Sequence, residues 1–192
     1  MAAHVGLMQL PREPVLGESV TESVVELYER HFHFVWRSLR RLGVAPTDLD
    51  DAVQDVFVVV HRRLETFEGR STIKGWIFGI AIRIAKTYRR RGARRRLNIA
   101  QEDSVLVCTH GTPEEARAYA QAAEQVQELL EELDDGQRAV FVLAELEDMQ
   151  APEIAVVLGI PTNTVYSRLR LGRAAFERGL RRLHAKDDWR YR

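Results

Sequence analysis

Cysteine is nearly missing from this chain of 192 residues, where Cys108 stands alone. A single thiol closes no internal disulfide, so the fold must be held by packing, and a cytosolic protein is expected. Long apolar runs are missing too. The longest, Val56–Val60 and Trp76–Ile82, fall far short of the roughly 20 residues that carry a helix across a bilayer. Residues 1–17 hold no charged stretch followed by an apolar core, so no secretory leader and no membrane insertion are expected. Metal-ligand spacing is absent. His31 and His33 are two apart on a predicted helix and face different ways. Asp48, Asp50, Asp51 and Asp55 come without a histidine or glutamate at ligand spacing. A metal-dependent nuclease is therefore disfavoured, and no catalytic residue, metal or cofactor is expected.

Net charge is also absent, with 28 Lys and Arg against 28 Asp and Glu. Taken whole, this argues against nucleic-acid binding. The distribution reverses that inference. Arg83, Lys86, Arg89, Arg90, Arg91, Arg94, Arg95 and Arg96 form a block with no acid among them. Acids dominate from Glu102 to Asp148, and cations return from Arg168 to Arg182 with only Glu177 opposing. Two basic zones flank an acidic middle, so a zero sum conceals two candidate phosphate-binding surfaces.

Apolar residues recur at helical spacing throughout, and no alternating strand pattern is found, so the fold class is all-α. Residues 1–20, with Pro11, Pro14 and Gly17, read as a loose arm. A helix is expected from about Ser23 to Leu42, ended by Gly43. A second is capped by Thr47 or Asp48 and runs to about Leu64, with Val53, Val56, Phe57, Val60 and Leu64 on its buried face. After a loop over Phe67–Ile73, a third runs from Lys74 to Arg91 or beyond. Residues 97–113 lack periodicity and read as a flexible linker. Further helices are expected over Pro113–Glu132, Gly136–Leu146, Pro152–Leu158 and Thr162–Leu183, followed by a polar tail from Lys186. The division is thus two small helical domains, 21–96 and 114–185, joined by 97–113 and followed by the tail 186–192.

The sharpest local signal is Ala151–Arg173. Pro152 suits a first helical turn, where its missing amide would lack a partner. Gly159 can take the left-handed conformation of a tight turn, and Thr162 is a candidate cap for the next helix. Ile160, Val165 and Leu169 point to the core, leaving Thr164, Tyr166, Ser167, Arg168, Arg170 and Arg173 for solvent or DNA. This is the pattern of a helix-turn-helix, whose second helix enters the major groove. Arginine and hydroxyl side chains suit base edges and phosphates. A plain helical hairpin with a solvated basic face is the competing reading. In the first half, Trp76-Ile-Phe-Gly-Ile-Ala-Ile-Arg-Ile-Ala-Lys-Thr-Tyr-Arg-Arg-Arg91 runs aromatics into cations, as single-strand binding requires. For Trp76 itself, a place in the core is the simpler expectation.

Two blocks carry a family resemblance. Asp50-Asp-Ala-Val-Gln-Asp-Val-Phe-Val-Val-Val-His-Arg-Arg-Leu64 with Phe67-Glu-Gly-Arg-Ser-Thr-Ile-Lys-Gly-Trp76 resembles region 2 of extracytoplasmic-function sigma factors. Leu133-Asp-Asp-Gly-Gln-Arg-Ala-Val-Phe-Val-Leu-Ala-Glu-Leu146 with Pro152-Glu-Ile-Ala-Val-Val-Leu-Gly-Ile-Pro-Thr-Asn-Thr-Val-Tyr-Ser-Arg-Leu169 resembles region 4. Both occur in the family's order, over about residues 22–183, with an acidic spacer where larger relatives carry another domain.

The resemblance implies a factor that binds RNA polymerase core and directs initiation at promoters. By it, Asp51, Gln54 and Asp55, with Phe57 and His61 further along, meet the clamp helices of the polymerase largest subunit. Phe67, Arg70, Ser71 and Lys74 of the loop capture an unstacked base of the −10 element, and Arg83, Lys86, Thr87 and Arg90 hold the adjoining promoter DNA. Tyr166, Ser167 and Arg170 read −35 bases, and Thr164, Arg168 and Arg173 suit phosphates. Region 4 would also meet the flap of the second-largest subunit. The resemblance admits an anti-sigma protein as a further partner and places the chain in the cytoplasm, at the nucleoid. A helix-turn-helix regulator acting without polymerase is the alternative. Two departures stand out. Arg83 occupies the place of a family asparagine, and Leu171-Gly172-Arg173 replaces Arg-Ala-Arg, with Gly172 weakening the helix locally.

Overall fold

The computed structural model describes residues 23–96 and 113–190. The predicted arm 1–20, linker residues 97–112 with Cys108, and residues 191 and 192 lie outside them, as do the side chains of Arg94, Arg95 and Arg96. The described residues form seven α-helices and no strand: α1 Val24–Arg41, α2 Leu49–Arg63, α3 Ile73–Arg96, α4 Pro113–Glu131, α5 Asp135–Phe141, α6 Ala151–Leu158 and α7 Thr162–Arg190. The all-α expectation holds.

α1 starts at a capping box. Ser23 Oγ accepts the Glu26 amide at 3.3 Å, and Glu26 accepts the Ser23 amide at 2.7 Å. That bond holds the Glu26 carboxyl below its usual range. Its inner face buries Leu27, Phe34, Val35 and Leu39. Gly43 ends the helix with φ +87°, a left-handed conformation that favours glycine. The entry to α2 differs from expectation. Pro46 opens a tight turn over Pro46–Asp48, and Asp48 stands at the capping position without a side-chain capping hydrogen bond. Val53, Val56, Phe57 and Val60 of α2 then pack against α1 and α3, whose Ile77, Phe78, Ile80 and Ala81 complete the first core. Trp76 is half-buried against Phe67, as the simpler expectation had it.

In the second half, Asp134 caps α5 by accepting the Gln137 amide at 2.8 Å. The expected helix over Gly136–Leu146 is α5 followed by a wider π turn over Val142–Leu146. α6 ends at Gly159 with φ +63°, the left-handed turn its sequence position predicts. Thr162 is the first helical residue of α7 rather than its cap. The Pro161 carbonyl receives the Thr164 and Val165 amides at 2.8 and 3.2 Å. α7 continues past Leu183 to Arg190, through the segment expected as a tail, because no glycine or proline follows Gly179 to stop it. Gly172 is buried where α7 packs on α5, and a Cβ added there would meet Phe141 and Gln137 at ordinary contact distances of 3.6 to 3.8 Å.

Both halves share one continuous apolar cluster. α6 lies on α3, and α4 touches α1. Arg138 of α5 joins them as well. It is 3% exposed, and its guanidinium donates to the carbonyls of Glu131 and Leu133 at 2.9 and 3.0 Å and of Leu42 at 3.3 Å. The last of these satisfies a carbonyl left open at the end of α1. Burial, then the charge of Arg89, lowers the Arg138 pKa.

Candidate functional site

The residues of α2 expected on one polar face divide between two. At about 100° per residue, positions 54, 57 and 61 fall within about 60° of one another, and 51 and 55 begin about 60° further round. Gln54 and His61 line a groove of about 670 Å³ between α1 and α2, whose apolar wall includes Tyr28, Phe32 and Val58. Phe57 is a correction to the exposed set. It is 6% exposed, with its ring edge-on to Tyr28 at 4.8 Å, so it forms the wall of the groove. Asp51 and Asp55 are exposed on the side toward α3, where the Tyr88 hydroxyl donates to Asp55 Oδ2 at 2.8 Å. Burial first, then the bond to Asp55 and the charges of Asp55 and Asp51, push the Tyr88 phenol up to about 12. Arg91 lies over the same ring, 5.4 Å from its centre.

Arg83, Lys86, Thr87 and Arg90 stand exposed together along α3, with Thr87 Oγ1 donating to the Arg83 carbonyl at 3.1 Å. Arg83 also borders a groove of about 410 Å³ floored by Val59, Ile80 and Ile84, and across it stand Arg62 and Arg63 of α2. Those two arginines extend the cationic surface and were not among the expected residues. Their signal in the sequence was a basic pair at the end of α2, which helix-dipole complementarity alone already explains.

The loop residues scatter. Phe67 packs against Trp76 with ring centres 5.3 Å apart, Arg70 pairs with its exposed neighbour Glu68, and Ser71 Oγ donates to the Thr72 carbonyl at 3.3 Å. Lys74 is not grouped with Arg83. Its ammonium is 2.7 Å from Glu147 of the second half and 4.7 Å above the Phe34 ring. Glu147 also holds Arg41 at 2.7 Å, and its own side chain is 6% exposed. Burial lowers the Arg41 pKa, and the Glu147 charge opposes that fall.

On α7, Tyr166, Ser167 and Arg170 are exposed on one side of the first turns, Tyr166 at 57%. Ser167 Oγ donates to the Asn163 carbonyl at 3.1 Å. Asn163 is exposed beside them and was missed, although its amide suits an adenine edge. Thr164 and Arg168 lie on the other side of the helix, half-buried, with Arg168 against Gly136 of α5. Arg173 is held by Glu145, with Nε and Nη2 at 2.8 and 2.6 Å from one oxygen. Leu171 is 46% exposed.

An all-α protein with one cationic strip on a long helix and another on a helix-turn-helix belongs to the nucleic-acid-binding class. Residues 27–95 match the family model for Sigma-70 region 2, and residues 123–176 match that for Sigma-70, region 4. The chain is 32% identical over 156 residues to the RNA polymerase sigma factor CnrH of Cupriavidus metallidurans, across 78% of this chain and 82% of that one. It is 31% identical over 142 residues to the ECF RNA polymerase sigma-E factor of Haemophilus influenzae, across 70% and 75%. It also superimposes on the structure of CnrH in complex with the cytosolic domain of CnrY, with TM-score 0.61 and 27% identity over 82% of this chain and 86% of that one. The chain therefore belongs to the sigma-70 family, in its extracytoplasmic-function group. Its role is that of the family, promoter-specific initiation of transcription with RNA polymerase. No helix among the described residues is long and apolar enough to cross a membrane.

Proposed function

We propose that the two halves divide the work of initiation. Residues 21–96 dock on the clamp helices of the polymerase largest subunit through Asp51, Gln54, Asp55 and His61. Phe67, Arg70, Ser71, Lys74, Arg83, Lys86, Thr87 and Arg90 hold the opened −10 strand, with Arg62 and Arg63 adding charge. Residues 114–185 place α7 in the −35 major groove, where Asn163, Tyr166, Ser167 and Arg170 meet base edges and Arg173 meets phosphate once it leaves Glu145. The same half contacts the flap of the second-largest subunit. The spacer 97–113 sets the distance between the two units, which gain from one another's binding only when that distance fits the promoter. The factor has no chemistry of its own, works in the cytoplasm at the nucleoid, and is open to control by an anti-sigma protein, as the complex of CnrH suggests by analogy.

The observation that carries this reading is the pairing of two separate exposed strips, Arg83 to Arg90 on α3 and Asn163 to Arg170 on α7, with a polar α2 face that duplex binding alone does not need. Runoff transcription with core polymerase over a library of genomic promoters tests it. The wild-type chain is expected to direct starts from a defined promoter set. The Asp51→Ala, Gln54→Ala, Asp55→Ala triple variant is expected to lose them while keeping its helical content. A triple variant that transcribes normally overturns the docking role, and duplex binding without any polymerase-dependent start favours a regulator acting alone.

A further inference from the structure

The first turns of α7 are held in one orientation by their surroundings. Gly159, at φ +63°, and the Pro161 carbonyl, which accepts the Thr164 and Val165 amides at 2.8 and 3.2 Å, fix where the helix begins. Val165 and Leu169 anchor its inner face in the core. The outer face follows from helical geometry. Asn163, Ser167 and Arg170 are all exposed and fall within about 60° of one another at 100° per residue. Ser167 and Arg170 stand about 6 and about 10 Å beyond Asn163 along the axis, at 1.5 Å per residue. The other arginines of these turns are occupied, Arg168 against Gly136 and Arg173 by Glu145.

The chemistry of the three side chains differs. The Asn163 amide sets a donor beside an acceptor, the pair that matches N7 and N6 of adenine. The Arg170 guanidinium offers donors alone and matches O6 and N7 of guanine. A serine hydroxyl both donates and accepts, so Ser167 in isolation selects nothing. Its surroundings decide. Ser167 Oγ lies 3.1 Å from the Asn163 carbonyl and 3.1 Å from the Thr164 carbonyl, so its single proton is committed to the helix backbone. Only its lone pairs face outward, and the donors in a major groove are the exocyclic amines of adenine and cytosine. Residues three to four apart on a helix in the major groove meet successive bases, as in zinc-finger helices. The three side chains therefore span three successive base pairs.

We propose that α7 reads three successive bases in order, adenine through Asn163, adenine or cytosine through Ser167 and guanine through Arg170, and that Asn163 alone sets the first. The assignment rests on the −35 reading above and names the bases that reading leaves open. The test uses the full chain with core polymerase on promoters randomised upstream of the start, and the promoters that direct runoff are sequenced. The wild-type chain is expected to enrich the triplet, with adenine and guanine at its ends each favoured roughly tenfold over other bases. Asn163→Asp keeps the size of the side chain and leaves acceptors alone. It is expected to exchange adenine for cytosine at the first position while the guanine position stays as it was. Asn163→Ala is expected to lose preference at the first position only, and Ser167→Ala at the middle position only. Circular dichroism checks that each variant folds. Asn163 variants that leave every position unchanged overturn the assignment. So do variants that weaken all three positions equally, which is the behaviour of a residue that merely starts the helix. A wild-type chain that directs starts with no upstream base preference overturns the −35 reading itself, and the assignment with it. If no protein directs any start, the initiation reading fails, and sequencing the duplexes bound by the chain alone decides the assignment in its place.

Discussion

Replacing Tyr88 with phenylalanine tests a hydrogen bond that ties α3 to α2 through Asp55. The substitution keeps the ring, which is 7% exposed, and removes only the hydroxyl that donates to Asp55 at 2.8 Å. A hydrogen bond to a charged acceptor contributes about 1.5–3 kcal/mol. Asp55 is exposed, so water replaces the lost donor, and the low end applies. The expected loss is about 1.5 kcal/mol, or roughly 3–6 °C in Tm for a chain of this size. The pH dependence carries a sign. The phenol is raised from 10.0 to about 12 in the folded state. Its contribution is therefore complete below the unfolded value and is lost as pH climbs toward the folded one. The gap between wild type and Tyr88→Phe should be constant from neutral pH to just below 10.0 and should narrow above it. Urea unfolding of both proteins, at matched pH values on either side of that point, measures the gap. A gap that stays flat across it, or the absence of any gap at neutral pH, refutes the coupling of Tyr88 to Asp55.

Three further changes have defined outcomes. Gly43→Ala forces a Cβ into a backbone with φ +87° and places it 2.5 Å from Arg138 Nη1, so denaturant unfolding should show a loss of about 2–3 kcal/mol, above the 1–2 expected from the left-handed conformation alone. Arg170→Ala should weaken binding to a preferred −35 duplex by about 1–3 kcal/mol and relax its sequence preference, whereas Arg168→Ala should leave that preference unchanged, as read by competition binding at fixed salt.

Most of the fold could be read from one-dimensional pattern because its determinants are local. Gly43 and Gly159 mark left-handed helix ends, and the spacing of Val53, Val56 and Val60 marks a buried face. The site was less legible where two elements meet. Asp51, Gln54 and Asp55 satisfy a one-face rule at four-residue spacing, yet the groove with α1 takes Gln54 and the Tyr88 ring takes Asp55. Thr164 and Arg168 are polar and sit in the recognition helix, but the packing of α7 on α5 turns them from the strip that Asn163 and Arg170 share. Lys74 looked like a loop cation for DNA. Its partner, Glu147, is distant in sequence, and no periodicity connects them. Asp48, one of the two capping candidates for α2, does stand at its capping position, but it ends the tight turn that Pro46 opens and its side chain makes no capping hydrogen bond.

The zero net charge now has a structural reading. Acids of the second half do more than dilute the arginines. Glu145 holds Arg173, Glu147 holds Arg41 and Lys74, Asp135 holds Arg89, and Glu132 holds Arg182. These pairs lie between helices, many of them across the seam of the two halves, and they consume the cations that stand there. Arg83, Lys86, Arg90 and Arg170 remain exposed on their strips. Charge is therefore sorted by location, neutralised where the chain meets itself and left open where it would meet phosphate. Such a chain attracts DNA weakly as a whole, because its far field is small, but strongly along two lines at close range. That sorting favours binding only when both lines are presented at promoter spacing.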